Sequence, residues 1–203
     1  TFKLWSEKFG IRVLEAYGLT EASPGVALNT PMHYKGSSVG RLLPKIDFRL
    51  EKIEGVDKGG RLFIKGPNIM QGYIKSSAPG VINPVKDRWH DTGDIAYVDE
   101  DGFLFIEGRL KRFAKIAGEM ISLTAVENAI FKSFKDFQHA ILALPCPKRG
   151  QELALCTEDS SINKTTIQKE FSKRGISELW IPKKIVNIEK AKSPTGKTNY
   201  VSL

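Results

Sequence analysis

Two cysteines and three histidines in 203 residues leave little with which to build a metal cage or a disulfide framework. His33, His90 and His139 stand far apart, without the short spacings that present ligands to zinc. Cys146 and Cys156 lie in apolar stretches on either side of a turn. A disulfide between them is open, and two buried free thiols in a reducing compartment are the expected state. No apolar run approaches the roughly 20 residues that cross a bilayer, so no membrane segment is expected in the chain. Internal repeats and low-complexity tracts are missing too, which argues against a repeat array. Arginine–aromatic interleaving and nucleic-acid modules are absent, and no nucleic-acid partner is expected.

What is present is ordinary for a globular protein: 41% hydrophobic and 27% charged residues, enough for one large or two small domains. The net charge of +8 is unevenly spread. Residues 1–111 carry 16 Lys/Arg against 14 Asp/Glu, whereas residues 112–203 carry 15 against 9. A basic second half attracts acidic proteins, anionic lipid or nucleic acid by long-range electrostatics, unless it is simply a lysine-rich solvated surface. The sequence opens at Thr1 with Phe2, Trp5 and Phe9 at helical spacing. It is therefore expected to begin inside an element, as a piece of something longer.

The grammar changes near residue 110. Before it, alternation with period two predicts hairpins. Ile46–Leu50 is expected to pair with Arg61–Ile64 across Gly55–Gly60. Ile95–Val98 is expected to pair with Phe103–Ile106 across Asp99-Glu100-Asp101-Gly102. After it, helices and strands alternate. Thr124-Ala125-Val126-Glu127 reads as a capping box for a helix with Val126, Ile130 and Phe134 on its inner stripe. Strands are expected at Ala140–Leu144 and Leu153–Cys156, flanking Pro145–Gly150. Asn163 is expected to cap a helix carrying Ile167 and Phe171 and ending at Gly175, with a last strand at Lys184–Ile188.

Four fragments carry chemistry: Tyr17-Gly18-Leu19-Thr20-Glu21, Trp89-His90-Asp91-Thr92-Gly93-Asp94, Gly108-Arg109-Leu110-Lys111-Arg112, and Lys192-Ser193-Pro194-Thr195-Gly196-Lys197-Thr198. Gly196-Lys197-Thr198 is not the end of a Walker loop, because position 191 is Ala where that pattern needs glycine. In this order and at these separations the fragments resemble the later motifs of the adenylate-forming enzymes: acyl-CoA synthetases, peptide-synthetase adenylation domains and luciferases. The resemblance runs from about Gly10 to Thr198.

It implies an α+β fold: residues 1–109 as the β-rich end of a large, here incomplete, N-terminal domain, and residues 110–203 as a small mobile C-terminal α+β lobe. It also implies ATP-dependent activation of a carboxylic acid. Bringing a carboxylate to an α-phosphate sets anion against anion, so cations belong where the reacting oxygens meet. By resemblance Lys197 is the adenylation lysine, with a surface lysine as its alternative. Glu21 is the Mg²⁺ carboxylate, Thr20 lies beside the phosphates, and Tyr17 packs on the adenine. Asp94 accepts hydrogen bonds from the ribose hydroxyls, and Arg109 is a second ribose or phosphate contact. Structural alternatives stand beside these: a core tyrosine, a solvated glutamate, a loop aspartate and a salt bridge at the domain seam. Lys111 is the pivot, and Gly118 lines the tunnel for the acceptor thiol.

The segment Gly108–Ser122 is most similar to the synthetase half of the bacterial bifunctional acyl-[acyl-carrier-protein] synthetase/2-acylglycerophosphoethanolamine acyltransferases. That likeness implies a fatty acid substrate, ATP and Mg²⁺, and acyl carrier protein as acceptor. It further implies a parent on the cytoplasmic side, bound to the bacterial inner membrane. CoA as acceptor, or a non-catalytic basic module, are the alternatives. Arg112, Lys115, Lys132, Lys135, Lys148 and Arg149 are candidate contacts for an acidic carrier. The sequence departs from the family at Ala191, Thr198 and Tyr200, and the upstream Ser/Thr/Gly-rich phosphate loop is missing. The 203 residues alone are therefore expected not to form an adenylate.

Overall fold

The computed structural model describes residues 2–135 and 137–188. Within it the chain divides into two compact units, one running to Ile53 and over Asp57–Leu110, the other holding Glu54–Val56 and the described residues from Lys111 onward.

The first unit is strand-rich. A helix, α1 (Phe2–Phe9), precedes β1 (Ala16–Gly18), β2 (Gly25–Leu28) and β3 (Arg41–Leu42), which form an antiparallel sheet in that order. Trp5 and Phe9, one helical turn apart, touch at 5.3 Å between ring centroids, and both are exposed. A four-stranded antiparallel sheet follows, ordered β4 (Asp47–Glu51), β5 (Gly60–Lys65), β8 (His90–Val98) and β9 (Leu104–Arg109). Between β5 and β8 the chain makes a separate ribbon, β6 (Gly72–Ile74) with β7 (Ile82–Pro84). Both expected hairpins form. Leu50 faces Leu62 across the first, and in the second the turn closes at Gly102, whose φ of +80° suits a residue without Cβ. Alternation puts Leu62 and Ile64 of β5 and Leu104 of β9 on the buried side with Val26 and Ala96. The Val39 N–H to Leu104 carbonyl bond (2.9 Å) and the Leu104 N–H to Gly40 carbonyl bond (2.8 Å) stitch the chain before β3 to β9.

The second unit is α+β. Strands β10 (Phe113–Ile116) and β11 (Glu119–Ser122) form a hairpin, α2 (Leu123–Ser133) follows, then β12 (His139–Cys146), β13 (Gly150–Thr157), α3 (Lys164–Lys173) and β14 (Lys184–Asn187). The sheet runs β11-β10-β13-β12, with β14 parallel to β13. Ile130, Ile141, Leu155, Ile167 and Phe171 are wholly buried between the helices and this sheet. Asn163 caps α3 with a reciprocal box through Thr166. The cap of α2, however, is Ser122 rather than Thr124. Its hydroxyl accepts from the Ala125 N–H at 3.3 Å. Glu127 is not available for a box, because it accepts from the Ile141 N–H at 2.8 Å and pairs with Arg112 at 2.7 Å.

Cys146 and Cys156 are both free thiols. In the β12–β13 ladder Cys156 faces Ala140 and Cys146 faces Gly150, at opposite ends of the hairpin. At about 3.3 Å per residue they lie far beyond disulfide reach. Among the described residues no helix is long and apolar enough to cross a membrane.

Candidate functional site

Asp94 is the most deeply placed acid of the first unit, with 3% of its side chain exposed. Strand periodicity puts it there: along β8 Thr92 and Asp94 point inward while Asp91 and Gly93 lie on the other face. Directly opposite in the ladder stands Arg109 of β9. Register therefore makes the ion pair, Arg109 Nε to Asp94 Oδ1 at 2.9 Å, and Arg109 also donates to the Thr92 carbonyl at 2.9 Å. Tyr17, from β1, donates its hydroxyl to Asp94 Oδ2. Thr92 completes the corner, donating to the Leu62 carbonyl at 2.8 Å and accepting from the Asp94 N–H at 3.1 Å.

Burial pushes the Asp94 carboxyl above the usual carboxylate range, while the Tyr17 hydrogen bond and the Arg109 charge pull it back. Tyr17 is raised well above an ordinary phenol, first by burial and then by its bond to Asp94. A carboxylate offers about four acceptor positions, and two are filled. Asp94 thus keeps capacity for further donors, if they reach a nearly closed site.

The second cluster surrounds a 3₁₀ turn, Thr20–Ala22, closed by Ser23 in the left-handed region (φ 51°). Thr20 is exposed there. Glu21 accepts from the Tyr73 hydroxyl at 2.9 Å. Its own backbone N–H, then Tyr73, hold its carboxyl below the usual range, and the charges of His90 and Arg109 add to this. Asn68 braces the turn by donating to the Ala22 carbonyl (2.5 Å) and the Gly25 carbonyl (2.7 Å). Beside Tyr73 opens a groove of about 530 Å³ lined by Arg49, Phe63, Asn83, Lys86, Trp89 and Asp91 among others. The Arg49 guanidinium stacks on Phe63 and Trp89.

The structure thus brings Tyr17, Asp94 and Arg109 into one hydrogen-bonded group and places Thr20 and Glu21 on one turn of the same unit. Tyr17 uses its hydroxyl on Asp94, a bond its expected place against an adenine ring does not foretell. Lys111 is exposed on a 3₁₀ turn, Leu110–Arg112. Gly118 sits with Ala117 in the two-residue turn of the β10–β11 hairpin, at φ values of +93° and +53°. That turn alone accounts for a glycine. Arg112 is largely buried against Glu127 and the Ile141 carbonyl, so it is not a free surface cation. Lys115 pairs with Glu54 at 2.7 Å. Lys197 lies outside the described residues. Sequence reading missed Thr92, Asn68 and Tyr73. Thr92 lay inside a motif already singled out, whereas Asn68 and Tyr73 reach their partners across more than forty residues with no local signal.

Among the described residues no group of three or more His, Cys, Asp or Glu side chains is placed to hold a metal. Magnesium bound to phosphates needs only one or two protein carboxylates, and Glu21 fits that part.

A family model described as AMP-binding enzyme matches residues 1–74. Curated relatives include the mitochondrial medium-chain acyl-CoA ligase ACSF2 of Mus musculus, 32% identical over 85% of this chain and 30% of its own length. The long-chain-fatty-acid–CoA ligase of Yersinia pestis is 37% identical over 72% of this chain and 27% of its own length. Luciferin 4-monooxygenase of Photinus pyralis is 32% identical over 87% of this chain and 32% of its own. The chain spans roughly a third of the length of these relatives. The fold is shared with ATP-bound MatB from Rhodopseudomonas palustris, at TM-score 0.71 and 24% identity over 96% of this chain and 40% of that one. It is also shared with Bacillus subtilis MenE in complex with its OSB-AMP intermediate, at TM-score 0.73 and 22% identity over 95% and 41%. These likenesses, to the AMP-binding enzyme model, to acyl-CoA ligases and to a luciferin 4-monooxygenase, support the AMP-binding enzyme superfamily for this chain.

Proposed function

We propose that a full-length protein carrying this chain activates a fatty acid with ATP and passes the acyl group to the phosphopantetheine thiol of acyl carrier protein. The buried Asp94, gripped by Tyr17 and Arg109, carries this reading. Tyr17 and Arg109 hold the acid in place and fill two of its about four acceptor positions, and ribose hydroxyls are donors of the right kind for the others.

In the first step a carboxylate oxygen attacks the α-phosphorus, the bond to the leaving oxygen breaks, and pyrophosphate departs. Lys197 supplies the cation that lowers repulsion between the two anions. Glu21 would hold a magnesium ion, whose charge would neutralise the phosphates, with Thr20 beside them, and Arg109 would give a second contact to ribose or phosphate. In the second step the thiol attacks the acyl carbonyl and AMP leaves. Lys111 is the pivot between the two arrangements, residues 1–109 and 110–203 being the two lobes, and Gly118 leaves room for the thiol arm. The product serves lysophospholipid reacylation at the cytoplasmic face of the bacterial inner membrane.

Acyl carrier protein as acceptor is supported by the likeness of Gly108–Ser122; the basic second half suits either acceptor, since CoA also carries phosphates. CoA is the second reading, favoured by the CoA ligases among the curated relatives. The test offers radiolabelled fatty acid and ATP to the full-length protein with acyl carrier protein or CoA. Preference for the carrier protein supports the first reading, preference for CoA the second, and failure with both leaves a non-catalytic module.

A further inference from the structure

The turn that presents Glu21 is tied down from one short stretch, residues 68–73. Asn68 holds the Ala22 and Gly25 carbonyls, and the Met70 N–H donates to the carbonyl of Glu21 itself at 2.9 Å. Those bonds fix backbone. Tyr73, the middle residue of β6, does something different: its hydroxyl reaches the Glu21 carboxylate at Oε1, 2.9 Å away. The residue is 50% exposed and belongs to neither hydrophobic cluster. Its backbone is set by the ribbon, where it faces Asn83 of β7 and its carbonyl accepts from the Asn83 amide at 3.2 Å. A tyrosine with little packing to do, anchored by a ribbon and aimed at one carboxylate oxygen, has an orienting geometry.

We propose that Tyr73 is a positioning residue for Glu21, occupying Oε1 so that Oε2 is the oxygen presented to a phosphate-bound divalent cation. The inference rests on the reading of Glu21 as the metal carboxylate and extends it to the residue behind it. An ionised carboxylate only accepts and has about four acceptor positions, so the Tyr73 bond to Oε1, beside that from the Glu21 backbone N–H, fixes the plane of the group and still leaves positions for a cation. Outer partners of metal-bound carboxylates act in this way, and losing one weakens metal binding by roughly 10- to 100-fold.

Y73F deletes the hydroxyl and keeps the ring. In the full-length protein with a non-hydrolysable ATP analogue, Mn²⁺ affinity is read from the electron paramagnetic resonance of free Mn²⁺. The expected result is binding about 10-fold weaker in Y73F. The Mg²⁺ concentration for half-maximal activity should rise by a similar factor, most of the rate should return at saturating Mg²⁺, and the thermal midpoint should not move. Unchanged Mn²⁺ affinity overturns the proposal. So does a lowered thermal midpoint and rate at all Mg²⁺ levels with affinity intact, since that marks a purely structural tyrosine. E21Q separates this from the underlying reading. If E21Q also leaves Mn²⁺ affinity untouched, Glu21 is not the ligand. If E21Q weakens it and Y73F does not, only the positioning role falls.

Discussion

Asp94 accepts from two donors at once, and the consequences of removing each differ. D94N keeps the shape but turns half of an acceptor group into a donor facing Tyr17 or Arg109. Hydrogen bonds to charged groups are worth about 1.5–3 kcal/mol, so kcat/KM for ATP in the full-length protein should fall about 10- to 100-fold. A D94N enzyme with normal ATP kinetics would remove the acid from the nucleotide site. Tyr17 offers a measurement that needs no substrate. Its folded-state pKa lies above the ordinary phenol value, so its contribution is complete below about pH 10. Above that pH the unfolded chain ionises while the folded one resists, the unfolded state binds fewer protons, and stability falls. Between pH 9 and 11 the denaturation midpoint of Y17F should therefore fall less steeply than that of the wild type; equal slopes would contradict the buried hydrogen bond. Tyr17, Asp94 and Arg109 were legible because each sits in a short motif with fixed neighbours. That Tyr17 spends its hydroxyl on Asp94 was not, since the bond depends on how β1 lies against β8.

Among the elements, the two long hairpins and α3 were readable because alternation and a single cap determine them locally. The ribbon β6–β7 was not: Ile74, Val81 and Ile82 are all exposed, so there is no alternation to read. The cap of α2 was misplaced for a different reason. Thr124 and Glu127 match the capping spacing, but Glu127 is claimed by Arg112 and by the β12 backbone, and the helix is capped two residues earlier, by Ser122. Two substitutions distinguish these caps. S122A should cost about 1 kcal/mol, the usual worth of a cap hydroxyl, while T124A should cost little. A chemical-denaturation series giving the reverse order would reinstate Thr124. The Arg112–Glu127 pair is more consequential. Both side chains are mostly buried, at 19% and 14% exposed, and R112A would strand the glutamate at a cost of about 3–5 kcal/mol.

Over the whole molecule the proposed chemistry divides in time. Under the proposed function Lys197 works in the first half-reaction, where carboxylate and phosphate repel, and has no part in the second, where a thiol meets an already activated carbonyl. A K197A full-length protein should therefore lose acyl-adenylate formation, measured as ATP–pyrophosphate exchange, by about 10²–10³-fold, the usual worth of one donor at a developing charge. Given pre-formed acyl-adenylate, the same variant should still load the acceptor within a few-fold of the normal rate. Substitutions at Lys111, if it is the pivot, should affect passage between the two half-reactions more than either alone. The surplus charge of residues 112–203 would draw an acidic carrier over long range, so the KM for acyl carrier protein should rise with ionic strength while that for ATP moves less. Equal loss of both half-reactions in K197A would mean that residue 197 holds the lobe together rather than serving adenylation. The division of labour between the two lobes would then have to be sought in other cations.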